Sequence, residues 1–386
     1  MKKRKICIVT GTRAEYGLLS NLMSKVKDDS SLELLTFVTG SHLSPEFGLT
    51  FKAIEQDGFA INKKIEMVLS ADTSSSIIKS TGLGMIGFAD ALKEAKPDLV
   101  ILLGDRYEML AASFASLISR IPICHIHGGE STEGSYDEQI RHSITKMSWW
   151  HFVATEEYRK RVIQLGENPE RVFNVGGMGV DIINNTDLLS KKELQKEIGF
   201  EFSTKNILVT YHPVTMEKKT SKNQFYEILN ALKELEDINL IFTMPNADSD
   251  GRGIIKMIES FVQNNPNRST FFKSMGQLNY LSTMQYIDGV VGNSSSGLLE
   301  APSFKIGTVN IGDRQKGRIR AKSIIDCEPN KNSIKSSIKL LFSEEFKSSI
   351  KDLSNPYGLG NATNLILEII KNKTLPSEIK KSFYNL

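Results

Sequence analysis

The sequence predicts an α/β fold of two domains, each a parallel sheet with helices on both faces, and three observations predict it. Short runs rich in Val, Ile and Leu, bounded by Gly or Asp, alternate with longer helical patterns, as a series of β–α units does. The runs are apolar throughout instead of at every second residue, so helices are expected to cover both faces of each sheet. At 386 residues the chain also exceeds the size at which one hydrophobic core stops growing.

In order, KICIVTG reads as the first strand and LELLTFVTG as the second; DLVILLGD is a later central strand, followed by IPICHIHGG and WHFVATEE. A glycine cluster in VFNVGGMGVDIINN breaks the pattern. The expected domains are therefore residues 1–176 joined by 365–386, and residues 177–364. The second half resumes with NILVTYHP, INLIFTMPN, DGVVGNSSSG and TVNIGD. Two short helical patterns between Asn361 and Leu386 suit a return onto the first domain, and the two domains are expected to face each other across a cleft.

Composition excludes several classes of function. The formal net charge of +3 comes without any long basic run, so a nucleic-acid groove is not expected. No run reaches the roughly eighteen apolar residues of a membrane span. The apolar part of MKKRKICIVTGT is too short for an export signal. Cys7, Cys124 and Cys327 are widely spaced, which suits buried thiols in a reducing cytoplasm and neither a disulfide framework nor a zinc site.

Polar residues concentrate where strands are expected to end. In open parallel sheets ligands bind beyond the carboxyl ends of the strands. Between Asp98 and His142 two such ends supply Asp105, Arg106, Glu108, His125, His127 and Glu130, followed by Asp137, Glu138, Arg141 and His142. Asp137 also suits a helix N-cap. Their spacing is not that of a zinc helix, so neither a metal nor a cofactor is expected. GTRAEYG opens a helix after the first strand, where backbone N–H groups and Arg13 suit a phosphate. TGLGMIG matches G-x-G-x-x-G, but helix-starting residues precede it, so its glycines are expected mid-helix. His212 ends the first strand of the second half in YHP, ahead of a polar loop. GNSSSGLLE is the strongest local signal: Asn293, Ser294, Ser295, Ser296 and Gly297 form an anion-binding turn, and Glu300 lies where a carboxylate accepts from ribose hydroxyls. Arg314, Arg318 and Arg320 follow in a basic loop.

Taken together and in order, GTRAEYG, GDRYE, HIHGGE with YDEQIRHSITKM, YHP, GNSSSGLLE and GDRQKGR closely resemble the hydrolysing UDP-N-acetylglucosamine 2-epimerases of bacterial sialic acid pathways. The resemblance implies a glycosyltransferase-B-like fold of two Rossmann-like domains, with UDP held mainly by the second. It implies Arg13 and Ser294–Ser296 on the diphosphate, Glu300 on ribose, Asp105, Glu130 and Asp137 in the chemistry, and His212 as a cleft histidine. It also implies a homodimer or homotetramer acting on a nucleotide sugar. Where the non-hydrolysing branch reads His-x-Glu, this chain has His125 and His127 with Glu130 three residues on, which disfavours simple racemisation. The expected reaction is elimination of UDP to a 2-acetamidoglucal followed by hydration, giving N-acetylmannosamine. Related enzymes act on GDP-linked or 2,4-diacetamido sugars in legionaminic-type pathways, so those remain alternatives. A glycosyltransferase of the same fold and a nucleotide-sugar sensor are the readings from other classes.

Overall fold

The computed structural model describes residues 3–69, 73–133, 135–213, 221–245 and 251–386. The chain forms two compact units. Unit 1 comprises Met1–Glu130, Asp137–Ile182 and Leu359–Leu386; unit 2 comprises Ser131–Tyr136 and Ile183–Gly358.

In unit 1, the strands are β1 (Arg4–Thr10), β2 (Leu32–Thr39), β3 (Lys63–Ile65), β4 (Leu99–Leu103), β5 (Ile123–Ile126), β6 (Trp150–Val153) and β7 (Val172–Asn174). The helices between them are α1 (Arg13–Asp28), α2 (Phe51–Gln56), α3 (Ser74–Ala95), α4 (Tyr107–Ile118), α5 (Asp137–Met147) and α6 (Glu156–Gln164). All seven strands run parallel in the order β3-β2-β1-β4-β5-β6-β7. Alternate residues of each strand feed opposite cores, because side chains alternate across a sheet. Ile6, Ile8, Leu99, Ile101 and Cys124 pack with α1, whereas Cys7, Val9, Val100, Leu102 and Ile123 pack with α3 and α4.

The chain passes through α7 (Met178–Asn184) into unit 2. There follow α8 (Lys191–Ile198), β8 (Asn206–Thr210), α9 (Ser221–Lys233), β9 (Asn239–Thr243), α10 (Gly251–Asn264), β10 (Ser269–Phe272), α11 (Gln277–Met284) and β11 (Gly289–Gly292). The unit continues with α12 (Ser296–Leu299), β12 (Gly307–Ile311), β13 (Ile324–Cys327), α13 (Lys331–Leu341) and α14 (Glu344–Ser349). Its parallel sheet runs β10-β9-β8-β11-β12-β13. Ile207, Val209, Val291 and Val309 pack on α9 and α13, while Leu208, Ile241 and Val290 pack on α8 and α11.

Finally α15 (Ala362–Asn372) returns to unit 1, burying Ala362, Ile366 and Ile370 at helical spacing against α1. The crossings lie at Ile182/Ile183 and Gly358/Leu359, a few residues from the expected 176/177 and 364/365. Asp181 is the reason. It accepts the Asn361 N–H at 2.6 Å and the Thr363 hydroxyl at 2.5 Å, joining α7 to the start of α15 within unit 1. Beyond α15 the closing residues are not helical, so the second expected helical pattern is replaced by an irregular strap in a stretch interrupted by Pro376.

The G-x-G-x-x-G glycines lie inside α3 and serve packing. A Cβ on Gly84 would sit 2.8 Å from Met67 Cε, and one on Gly87 2.6 Å from Ile65 Cγ2. Cys7 and Cys124 are buried and Cys327 is half-buried, all as free thiols. Among the described residues no helix is long and apolar enough to cross a membrane.

Candidate active site

The strand order of unit 1 reverses between β1 and β4, so the loops after these strands flank the position where open α/β sheets bind ligands. The β1 loop leads into α1, whose Thr12 cap accepts the Glu15 N–H. Arg13 is exposed at the first residue of that helix. The β4 loop carries Asp105 and Arg106 and leads into α4 with Glu108 in its first turn, and the β5 loop carries His127 and Glu130.

Two buried carboxylates meet at this reversal. A Cβ on Gly11 would lie 3.3 Å from both Glu15 Oε2 and Glu108 Cβ. Arg106 Nε donates to Glu108 at 3.2 Å and the Gly11 N–H donates to Glu15 at 2.8 Å, leaving Glu15 Oε1 buried without a partner. Burial, and then the Glu108 charge, push the Glu15 carboxyl up from 4.5 to about 7. The folded chain therefore holds a proton here that the unfolded chain has released, and this contribution to stability falls as pH rises from 4.5 to about 7. Glu15→Gln, which cannot ionise, is expected to gain about 3 °C or more of Tm over wild type above that window and little below it. Thermal melts at both ends of the window check this, and an unchanged difference would refute it.

One guanidinium organises the neighbouring loops. Arg141 of α5, about 1% exposed, ion-pairs with Asp105, donates to the Glu130 carbonyl at 2.9 Å and reaches Glu138 at 3.3 Å. Glu138 in turn contacts His142 Nε2 at 3.1 Å. The two histidines of the β5 end have different jobs. His125 is fully buried: its Nε2–H donates to the Gly104 carbonyl at 2.7 Å, and its Nδ1 accepts from the Thr145 hydroxyl at 3.1 Å. Burial pushes its pKa down to about 3, so it is a neutral brace for the turn that presents Asp105. His127 leaves the strand with φ of +66°. The Met178 N–H donates to its Nε2 at 3.2 Å, which places the ring proton on Nδ1, 3.1 Å from Glu130 Oε1. Glu130 is itself 2% exposed. Asp137 begins α5 and is half-buried.

In unit 2 the order reverses between β8 and β11, and the residues singled out from the sequence follow those two strands. The His212 N–H donates to Asn293 Oδ1 at 2.7 Å and Asn293 Nδ2 donates to the His212 carbonyl at 2.8 Å, so one amide clamps the two loops. Both residues are buried. The polar loop after Pro213 lies outside the described residues. The Asn293 carbonyl accepts from Arg314 at 3.1 Å and from the fully buried Gln315 at 2.9 Å. Ser294 Oγ accepts the Ser296 N–H at 3.4 Å, and Gly297 lies against Thr308, whose hydroxyl donates to its carbonyl at 2.8 Å. The helix α12 lasts one turn, so Glu300 follows the serines by one turn. Burial raises the Glu300 carboxyl while the Ser296 hydroxyl lowers it, and Ser296 is also bonded to Tyr280. The Arg318 N–H donates to the Gln315 carbonyl at 3.3 Å, and Arg320 pairs with Asp326, away from this cluster.

Each unit thus gathers its own polar set at its own reversal. Asp105 and Glu130 lie in unit 1 with Arg13 and Asp137, and His212, Asn293–Gly297, Glu300, Arg314 and Arg318 lie in unit 2. Glu15 and Gln315 were missed from sequence, as was the meeting of Glu15 with Glu108. Among the described residues no three or more His, Cys, Asp or Glu side chains form a metal-holding group.

The family profile described as UDP-N-acetylglucosamine 2-epimerase matches residues 24–371. The chain belongs to the UDP-N-acetylglucosamine 2-epimerase family. A GDP/UDP-N,N'-diacetylbacillosamine 2-epimerase (hydrolyzing) of Campylobacter jejuni is 44% identical to this family member over the whole of both chains. Polysialic acid biosynthesis protein P7 of Escherichia coli is 39% identical over 99% of this chain and 98% of its own. The crystal structure of UDP-GlcNAc 2-epimerase from Neisseria meningitidis bound to UDP-GlcNAc superposes with a TM-score of 0.82 at 20% identity, covering 96% of this chain and 100% of that one. The fold is therefore the glycosyltransferase-B-like fold expected, and the reaction is of the 2-epimerase class.

Proposed function

We propose that this 2-epimerase is hydrolysing: it takes a nucleoside-diphospho 2-acetamido sugar and water, and releases the nucleoside diphosphate and the free sugar inverted at C2. The observation that carries this reading is the placement of Asp105 and Glu130 at adjacent strand ends, tied to one buried Arg141, with His127 Nδ1 lying 3.1 Å from Glu130 Oε1. C2 of such a sugar is not acidic enough for simple deprotonation. Elimination lets one carboxylate take the C2 proton while the C2–H electrons form the C1=C2 bond and the C1–O bond breaks toward the diphosphate. Hydration then delivers a proton to the other face of C2, and water oxygen bonds C1 as it surrenders its own proton to a carboxylate. Asp105, Glu130 and Asp137 are the groups assigned to these transfers, with His212 assisting at the departing diphosphate. Arg13 and the Asn293–Gly297 turn with Arg314 and Arg318 bind the diphosphate, and Glu300 takes the ribose.

The sugar is N,N'-diacetylbacillosamine in our reading, because the 44% identical relative carries that name. N-acetylglucosamine, giving N-acetylmannosamine for sialic acid synthesis, is the second reading, favoured by the polysialic acid relative. The nucleotide is UDP in both, with GDP the alternative, and the cytoplasm and a homodimer or homotetramer are the expected setting and assembly.

Incubation with each UDP-sugar in D2O, followed by NMR, tests this. The expected product is free C2-inverted sugar carrying one deuterium at C2, with kcat/KM higher for the diacetamido substrate. Intact epimerised nucleotide sugar, or no turnover of either sugar on UDP or GDP, would overturn the hydrolysing reading. A higher kcat/KM for UDP-N-acetylglucosamine would reverse the choice of sugar.

A further inference from the structure

The strand amino ends of unit 1, opposite the loops described above, hold a cavity of about 430 Å³ that the 2-epimerase reaction does not use. It lies between the start of β6, the turn Pro169–Arg171 before β7, and the strap that follows α15. Its walls are built. In the strap, Lys381 donates at 2.7 Å to the Lys146 and Ser148 carbonyls and to Glu167, and the Tyr384 N–H donates to the Gly166 carbonyl at 2.9 Å. Phe383 fills the space over Gly166, where a Cβ would come within 2.3 Å of its ring.

The lining combines cations with an aromatic surface. Arg171, Lys373 and Lys380 face the cavity against the single carboxylate of Glu170. The Arg171 guanidinium lies over the Trp149 ring, 4.4 Å from its centroid, and its Nε is buried without a hydrogen-bond partner. Arg171 lines the cavity, so its guanidinium charge is available to an anion there. Lys373 lies above the Phe173 ring and Lys380 meets Glu378 at 3.0 Å on the exposed side, leaving both able to turn toward an anion. The volume is of the size that holds a small organic ligand, not a bare ion.

We propose that this cavity is a second ligand site, taking a small phosphate ester with a planar ring, the chemistry of a nucleoside monophosphate. The phosphate pairs with Arg171 and the two lysines, and the ring lies along Trp149 and the strap.

The chain has two tryptophans, Trp149 and Trp150, and both line this cavity, so tryptophan emission reports on it directly. The full-length protein is titrated with AMP, with CMP and with inorganic phosphate, correcting for ligand absorbance with free tryptophan. Saturable quenching by the nucleotides with Kd of about 0.1 mM is expected, and at least tenfold weaker response to phosphate. Arg171→Gln, and separately the exposed pair Lys373→Gln with Lys380→Gln, should weaken the nucleotide response at least tenfold while sugar turnover is unchanged. No saturable change with either nucleotide, or an undiminished response in the double-lysine variant, would overturn the site. Equal affinity for inorganic phosphate would overturn its assignment to a nucleotide.

Discussion

Asp105→Asn is expected to lower kcat by about a thousandfold while leaving UDP affinity within a fewfold of wild type. The substitution keeps the shape of the side chain and an oxygen for the Arg141 guanidinium, but it removes the charge and the capacity to accept a proton. Arg141 retains the Glu130 carbonyl at 2.9 Å and Glu138 at 3.3 Å, so it is not stranded. The stability cost should stay near 1–2 kcal/mol, the scale of one weakened charge-assisted hydrogen bond. A large kinetic loss in a folded protein that still binds UDP is thus the signature of proton transfer. Single-turnover kinetics beside UDP calorimetry measure both quantities, and kcat within about tenfold of wild type would remove Asp105 from the chemistry. Glu130→Gln provides the matched case, since it keeps the shape of the side chain beside His127 Nδ1 and removes its charge and its capacity to accept a proton.

The placement of Asp105 shows what was legible in the sequence. Carboxylates and histidines that directly follow an apolar run are recognisable as strand-end residues, because burial ends where polarity begins. All nine strands read from the sequence are sheet strands, and the four unread ones, β3, β7, β10 and β13, are the four sheet edges. Edges pair on one side only and need less apolar sequence. Strand β3 reads Lys-Lys-Ile with one buried residue, and β13 has none. Strand β7 was hidden in the glycine cluster taken for the domain junction. The G-x-G-x-x-G pattern was settled by its preceding residues, which start α3 and put the glycines on a packing face.

The unread part of the candidate site follows from topology. Glu15 and Glu108 each sit in the first turn of a helix, where an acidic residue needs no explanation beyond the helix dipole. Their encounter arises because β4 crosses over to pair with β1, a fact that lives in the sheet order and not in local sequence. His125 and His127 look equivalent at strand spacing. The positive φ of His127 separates them, turning one ring toward Glu130 while the other stays a buried brace. Gln315 stood unnoticed among the charges of GDRQKGR, although its burial against the Asn293 carbonyl is complete.

Gly292→Ala is expected to produce the largest stability loss of any single methyl added to the chain's two polar loop sets. Gly292 ends β11 opposite Thr210 of β8 with φ of +142°, a conformation that a side chain opposes. A Cβ there would lie 1.9 Å from the Thr210 carbonyl oxygen and 2.7 Å from its carbon, which are backbone atoms with no rotamer to yield. The same oxygen accepts the Asn293 N–H at 3.1 Å. Relieving the clash must therefore move the start of the turn in which Asn293 clamps His212 and receives Arg314 and Gln315. Backbone strain and displaced buried hydrogen bonds together predict a loss of about 3–5 kcal/mol, lowering Tm by roughly 6–15 °C. Because the displaced turn is the one assigned to the diphosphate, UDP affinity should fall at least tenfold even below the new Tm, which calorimetry on the folded variant would show. Gly297→Ala makes a useful contrast: its Cβ would meet the Thr308 side chain, a group that can rotate, so a milder loss is expected. Equal Tm values for the two variants would mean that the β8–β11 junction tolerates movement, and that the Asn293 clamp does not hold the turn in place.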